Sequence, residues 1–209
     1  MTSFAEIQSQ LPKALDANRP GSSDPHVVVA LPSLSVAESL LAHYVDRLPA
    51  LEHRYLLAGL MLPRIKTCEF VFISSQAPSS EVLDYYLSLV PADRRDGTRA
   101  RMRILEVPDR TARAVAAKLL DRPDLVADLR ASFRGRTAFI EPWNVTQHEV
   151  ELACQLGIPI NGTAPELWSL GFKSAGRRLF LDAGVPMPCV RPRDQPQEGR
   201  YDAPVRRSA

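Results

Sequence analysis

The sequence predicts an α/β fold in which a parallel sheet carries helices on both faces. Continuous apolar runs at HVVVALPS (26–33) and EFVFISSQ (69–76) are typical of strands that are buried on both faces. A helical segment follows each run, and strands that alternate with helices form parallel sheets through right-handed crossovers. We therefore expect a Rossmann-like domain.

The first half of the chain supplies two strand–helix units. An amphipathic helical segment opens the chain and ends at the polar break NRPGSSDP. After the first strand, Ser35 as N-cap and Glu38 three residues later predict a capping box for the helix SVAESLLAHYVDRL. After the second strand, Ser79 or Ser80 is expected to open the helix EVLDYYLSLV.

The second half continues the alternation. The segment RARMRILEV alternates apolar and polar residues, which predicts a strand near an edge of the sheet. Helices are expected over 110–121 and 124–133, with Pro123 in the first turn of the second. A fourth strand, RTAFIEPWN, precedes a helix that ends at Gly157, a residue suited to a left-handed cap. The segment IPIN predicts a short fifth strand, and APELWSLGFKSAGRRLFLDAG a last helix that ends at Gly184.

Four segments follow from this pattern. Residues 1–24 form an N-terminal helix and linker, and 25–163 the Rossmann-like domain. Residues 164–188 contain a linking helix. Residues 189–209 are rich in Pro, Arg and small polar residues and are expected to be a disordered tail, because they have little apolar surface to bury.

The composition excludes several classes of function. The net charge of +2 is too small to indicate binding to nucleic acid or to a membrane surface. No apolar stretch approaches the ~20 residues that a membrane span needs, and no basic-then-apolar leader opens the chain. Cys68, Cys154 and Cys189 are widely spaced, which favours reduced thiols and a cytoplasmic protein.

Candidate ligand-binding residues follow the predicted strands, because doubly wound sheets bind ligands outside the carboxyl ends of their strands. Ser33 and Ser35 follow the first strand and lead into a helix N-terminus, which suits either an anion or a plain capping turn. Glu141, Trp143 and Asn144 follow the fourth strand. A carboxylate at a strand's end needs water or a partner, so these residues could line a substrate site, although Asn144 could also cap the next helix.

Asn161 and Thr163 follow the fifth strand and have ordinary structural interpretations as well. The pair Asn161-Gly162 supplies a turn that tolerates positive φ, and Thr163 supplies a helix cap. The four histidines are scattered, and no Ser/His/Asp set, zinc motif or Gly-rich loop can be assembled. The sequence therefore predicts no catalytic residue and no metal ligand in this chain.

The last predicted helix carries two distinct faces. Its sequence GFKS nearly spells the Gly-Lys-Ser end of a phosphate loop, but Phe172 intervenes and the upstream glycine is missing. Phe172, Leu179 and Ala183 lie on one stripe, which predicts a core-facing surface. Lys173 and Arg177, four residues apart, share another face, which is either solvated surface or a phosphate contact.

The run GIPINGTAPEL…KSAGRRLFLDAGVPMP, within 157–188, resembles the segment that leads into the core of ATP-grasp enzymes. Over about 25–188, the chain resembles the N-terminal pre-ATP-grasp domain of pheganomycin-type peptide ligases, enzymes of secondary metabolism. That resemblance implies Mg-ATP as cofactor, phosphorylation of a carboxylate, and attack of an amine on the acyl phosphate. It also implies that Lys173 contacts the nucleotide, and Arg177, on the same face of the helix, is the second candidate for that contact.

The same resemblance places the strand-end loops at Ser33, Glu141–Asn144 and Asn161–Thr163 on the substrate side. The family's pattern continues with a second lysine strand, a Gly-rich hairpin and an acidic Mg²⁺ set, which 189–209 do not contain. We therefore expect the substrate-side portion of a carboxylate–amine ligase, inactive without a companion ATP-grasp chain. The alternative is a stand-alone Rossmann-like module that binds a small ligand, a partner protein or a second copy of itself.

Overall fold

A computed structural model of the chain describes residues 3–36, 38–171 and 173–186. Phe172 and the expected tail 189–209 lie outside the described residues. The chain divides into two compact units, one that ends at Pro165 and one that begins at Glu166. The sheet belongs to the first unit, as do the residues around Glu141, Glu149 and Lys118 that are described below.

Four parallel strands form the sheet: β1 (His26–Leu31), β2 (Cys68–Ser74), β3 (Met102–Glu106) and β4 (Thr137–Pro142). Their order is β3-β2-β1-β4, with His26 aligned with both Cys68 and Thr137. The chain runs outward from β1 to β3 and then returns to the other side of β1, so the direction of winding switches between β1 and β4. The predicted Rossmann-like α/β fold is confirmed, as is the edge position of β3.

Ten α-helices are described: α1 (Phe4–Gln8), α2 (Leu11–Ala17), α3 (Glu38–Ala42), α4 (Leu48–His53), α5 (Ser80–Ser88), α6 (Arg95–Arg99), α7 (Val115–Leu120), α8 (Pro123–Ser132), α9 (Gln147–Leu156) and α10 (Lys173–Asp182). Short 3-10 segments lie at Val45–Arg47, Arg54–Met61, Ala92–Arg94 and Pro165–Gly171.

Several predicted helix ends are confirmed. Ser79 caps α5 by accepting a hydrogen bond from the Val82 backbone N–H. Pro123 is the first residue of α8. Gly157 closes α9 at φ 72°, and Gly184 follows α10 at φ 66°, so both glycines adopt the left-handed conformation that the sequence indicated.

Other predicted boundaries are wrong. The helix expected from Ser35 to Leu48 is broken, and Pro49 lies in the first turn of the new helix α4, where its missing N–H costs nothing. The expected 110–121 helix begins at Val115. The fifth strand is reduced to one bridge between Ile140 and Ile160.

The core lies on both faces of the sheet and follows the two-residue period of the strands. Val27, Val29 and Leu31 point to one face, where α7, α8 and α9 cover them. Val28 and Ala30 point to the other, packed with the aromatic rings of β2 and β4 and with the Arg54–Met61 segment. The N-terminal segment belongs to this unit, because Ile7 in α1 is 1% exposed and Gln8 bonds to Ile160.

The stripe predicted to pack the last helix into a core is not buried. Leu179 and Phe180 in α10 are 51% and 49% exposed, and Ala183 is exposed as well. A helical stripe becomes core where another element covers it. In the described residues this stripe stays half open to solvent.

Gly162 is required by space rather than by backbone conformation. Its φ is not positive, contrary to the predicted turn, but a Cβ at this position would collide with Val145 Cγ2 and crowd Ile160. We expect Gly162→Ala to lower the free energy of unfolding by about 1–3 kcal/mol, the usual cost of overpacking. Urea denaturation measures this loss. Gly97→Ala is the matched control because a Cβ there meets nothing within 4 Å, and an equal effect of both changes would contradict the interpretation.

Candidate functional site

The carboxyl ends of the parallel strands lie along one edge of the sheet, and the switch between β1 and β4 places a crevice there. The predicted site residues near this edge fall into two groups. One group is a buried hydrogen-bonded chain around Glu149. The other surrounds an open cleft beside Glu141.

The buried chain starts at the first turn of α7. The Ala116 backbone N–H donates to Ser33 Oγ (3.2 Å), and the hydroxyl of Ser33 contacts that of Ser35 (2.9 Å). Ser35 in turn donates to Glu149 Oε1 (2.6 Å). Ser33 and Glu149 are both fully buried. The chain therefore joins the loop after β1 to α7 and to α9.

The predicted capping box of Ser35 with Glu38 is wrong, and Glu149 explains why. A buried carboxylate needs several donors to offset its lost hydration. Thr146, the N-cap of α9, gives its backbone N–H and its hydroxyl to Glu149 Oε2, both at 2.6 Å. Ser35 supplies the donor for the second oxygen, while its backbone exchanges two 3.2 Å hydrogen bonds with the side chain of Asn144.

The open cleft has a volume of about 520 Å³, within the range that holds small molecules. Arg54 and Tyr55 of the 3-10 segment after α4 line it opposite Glu141 and Trp143 at the end of β4. The rings of Tyr55 and Trp143 meet edge to face with centroids 5.8 Å apart. Trp143 is 55% exposed, so this aromatic pair presents a face to solvent.

Glu141 is the carboxylate of this cleft. Asn161 Nδ2 donates to Glu141 Oε2 (2.7 Å), and Tyr55 donates its hydroxyl to the Pro142 carbonyl (2.7 Å). Burial raises the pKa of Glu141, opposed by the hydrogen bonds that it accepts. Burial and the neighbouring Glu141 carboxylate raise the pKa of Tyr55. A carboxylate that is half withdrawn from water beside two aromatic rings favours a cationic ligand group.

A third polar cluster lies where the sequence gave no candidate. Lys118 in α7 donates from Nζ to Ser75 Oγ and to the Asp109 carbonyl, both at 2.9 Å. Ser75, directly after β2, donates its hydroxyl to Glu52 Oε1 and its backbone N–H to Glu52 Oε2, both at 2.7 Å. Glu52, Ser75 and Lys118 are 3%, 4% and 2% exposed. Ser75 and Lys118 line a smaller cleft at the ends of β2 and β3.

A larger cleft, of about 970 Å³, lies at the opposite, amino end of β4. Arg130, Arg134 and Arg136 line it, and Arg136 is paired with Glu69 at 2.8 Å. Parallel α/β sheets bind ligands at the carboxyl ends of their strands. We therefore place the candidate site at the Glu141 cleft, although its volume is smaller.

The remaining predicted residues lie outside the Glu141 cleft. Thr163 is exposed, two residues beyond Asn161. Lys173 and Arg177 are both exposed on α10, which belongs to the second unit. Among the described residues, no group of three His, Cys, Asp or Glu side chains could hold a metal ion. None of the helices described above combines the length and the hydrophobicity that a membrane span needs.

In comparisons with known proteins, no protein-family model and no solved structure matches the chain. The class that fold and site together define is an α/β domain with a Rossmann-like sheet and a polar, partly aromatic cleft at its switch point. The function is therefore argued from the chemistry of that cleft.

Sequence reasoning missed Tyr55, Arg54 and the Lys118 cluster. Tyr55 and Arg54 lie in an apolar helical stretch with no motif around them. The sequence does indicate that Lys118 is unusual, because it is the one charged residue in the apolar run AVAAKLL, which has no polar face as a helix. A charged residue at such a position has to find a partner inside the protein.

Proposed function

We propose that this chain is a small-molecule-binding α/β domain that holds an amine-bearing ligand at Glu141. The observation that best supports this proposal is the half-buried Glu141 carboxylate beside the Tyr55–Trp143 ring pair, in a cleft at the switch point. An ammonium group would gain a charge-assisted hydrogen bond from the carboxylate and a cation–π contact from the rings. Arg54, on the same cleft, suits a carboxylate elsewhere on the ligand.

We further propose that the ligand is the amine substrate of an ATP-dependent carboxylate–amine ligase, of which this chain is the substrate-side portion. The likeness of 157–188 to the segment that leads into ATP-grasp cores supports this reaction class. An amine must lose a proton before it attacks an acyl phosphate. Because burial raises its pKa, Glu141 is suited to accept that proton.

The nucleotide side of this proposal assigns the cations of α10 to phosphate. Lys173 and Arg177 lie one turn apart and are exposed, as a phosphate contact requires. The described residues contain no cluster that fits Mg²⁺, so we assign Mg²⁺ binding to none of them. The widely spaced cysteines support a reducing, cytoplasmic location.

Ligand titration tests the amine site directly. The probes are L-leucinamide and its N-acetyl derivative, which differ in the charged amine, and the signal is the indole N–H resonance of Trp143 in NMR spectra. We expect L-leucinamide to shift this resonance and the acetylated probe not to. Glu141→Gln should weaken binding by about 1.5–3 kcal/mol, the usual worth of a hydrogen bond to a charged group.

Glu151→Gln on the exposed side of α9 is the matched control and should bind L-leucinamide like the unchanged chain. Equal shifts from both probes would refute the amine site. The ligase proposal fails separately if a binding-competent chain, supplied with an ATP-grasp partner, gives no amine-dependent release of ADP. That result would leave the stand-alone binding module as the function.

A further inference from the structure

The Lys118 cluster lies apart from Glu141, on a cleft of about 190 Å³ whose lining includes Asp46, Ser75, Asp109, Arg110 and Lys118. We propose that this cleft admits a small aldehyde or ketone and that Lys118 captures its carbonyl carbon reversibly as an imine. The inference does not depend on the function proposed for Glu141.

The position of Lys118 Nζ supports the approach of a ligand. An ammonium group has three N–H donors, and the hydrogen bonds to Ser75 Oγ and the Asp109 carbonyl use two of them. Since Lys118 lines the cleft, its third N–H can meet a carbonyl oxygen there. The same nitrogen is held in place by the two bonds already made, which reduces the entropy that capture costs.

Ser75 links Lys118 to a proton acceptor. Its hydroxyl accepts from Lys118 Nζ (2.9 Å) and donates to Glu52 Oε1 (2.7 Å). A proton can therefore move from Lys118 to Ser75 while the proton of Ser75 moves to Glu52. The result is a neutral amine and a neutral carboxylic acid in place of a buried ion pair, with no change in net charge.

The complete step balances without any further reactant. The amine nitrogen forms a bond to the carbonyl carbon, and the carbinolamine that results loses its oxygen as water. Overall, Lys–NH₃⁺, Glu–COO⁻ and R₂C=O become Lys–N=CR₂, Glu–COOH and H₂O. Glu52 returns its proton through Ser75 when the imine is hydrolysed. Lys118 is the reacting group, and Glu52 is a positioning residue that acts through Ser75.

The charges around the cleft favour an uncharged carbonyl compound over an anion. Three carboxylates lie at or near the cleft: Asp46, Asp109 and Glu52. Three cations accompany them: Lys118, Arg110 and Arg113. Because these carboxylates and cations are equal in number, the cleft has no excess positive charge that would attract an anionic ligand. Burial lowers the pKa of Lys118 and raises that of Glu52, so the low-dielectric surroundings favour the neutral pair that imine formation requires.

The chain has four lysines, of which Lys118 is buried and the other three, Lys13, Lys66 and Lys173, are exposed. The exposed lysines therefore serve as controls for Lys118 in the same sample. The chain is incubated with propanal and sodium cyanoborohydride, which reduces an imine to a stable propyl-lysine. Peptide mass spectrometry then gives the rate at each lysine. We expect Lys118 to react about 100-fold faster than the other three, within the range that positioned proton transfer supplies.

The pH profile and two variants distinguish imine formation at Lys118 from a purely structural role of this lysine. Reaction at the three exposed lysines should become faster as the pH rises from about 6 to about 9, because the free amine is the nucleophile. The rate at Lys118 should change little over this range, because Glu52 rather than solvent takes its proton. Ser75→Ala and Glu52→Gln each interrupt proton transfer from Lys118 to Glu52, so each should slow the reaction at Lys118 about 100-fold. Neither variant should change the rate at the exposed lysines. The proposal is overturned if Lys118 of the unchanged chain reacts no faster than the exposed lysines, whatever the variants do.

Discussion

Replacing Lys118 by methionine is expected to lower the free energy of unfolding by about 3–5 kcal/mol, the cost of leaving a buried charge without its partner. Methionine keeps the length of the apolar stem, so the loss comes from the charge. Glu52 remains 3% exposed, with Ser75 as its hydrogen-bond donor but no cation beside it. Chemical denaturation at neutral pH measures the effect.

The pH dependence of this loss has a defined sign. Burial already raises the pKa of Glu52, and Lys118 is one of the groups that oppose the rise. Without Lys118, the folded protein favours protonated Glu52 more strongly, so stability is gained as the pH falls toward the unfolded pKa of about 4.3. The difference in free energy of unfolding between the unchanged chain and Lys118→Met should therefore become smaller as the pH falls from ~7 to ~4.

Two further variants serve as controls for Lys118→Met. Lys66→Met removes an exposed lysine and should change the free energy of unfolding by less than about 0.5 kcal/mol. The double change Glu52→Gln with Lys118→Met removes both charges and should recover much of the loss. A loss from Lys118→Met that the double change does not reduce would show that packing, rather than the ion pair, stabilises this part of the fold.

Glu149→Ala is expected to cost at least about 3 kcal/mol of unfolding free energy, because three buried or partly buried donors lose their acceptor at about 1–3 kcal/mol each. These donors are the hydroxyl of Ser35 and the hydroxyl and backbone N–H of Thr146. The change also removes half of the capping box of α9. Thermal and urea denaturation both measure the loss.

Glu151→Ala on the same helix provides the matched control. Glu151 is exposed and accepts one long hydrogen bond from Gln155 (3.5 Å), so its loss should cost little. Similar effects of the two substitutions would mean that the chain from Ser33 to Glu149 adds no more to stability than a surface contact. In that case the buried network would need another explanation.

The fold could be predicted because its signals are local. Buried apolar runs followed by amphipathic segments define β1, β2 and β4, and an alternating pattern places β3 at an edge. Helix ends that depend on one residue, such as Gly157, were equally clear. The interpretation of Ser35 was wrong because its partner, Glu149, lies far along the chain.

The candidate sites were predictable in part for the same reason. Glu141 and Trp143 lie at the carboxyl end of β4, and Asn161 follows the bridge at Ile160, so the three residues come together where parallel strands end. Tyr55 meets them from a 3-10 segment whose sequence carries no sign of the contact. Glu52 and Lys118 are charged residues of two different helices, and the order of the sheet alone brings them to opposite sides of Ser75.

The side chain of Gln8 has a consequence for the edge of the sheet beside β4. The backbone groups of Pro159 and Asn161 pair with Ile140 of β4, so the N–H and C=O of Ile160 between them do not bond to β4; the C=O accepts from the Gly162 N–H (3.0 Å). Gln8 binds both of these groups, its Oε1 accepting from the N–H (2.7 Å) and its Nε2 donating to the C=O (3.0 Å). An amide side chain thus occupies the positions that an incoming strand would use. At Ile160, Gln8 therefore blocks the backbone pairing by which a further strand would extend the sheet.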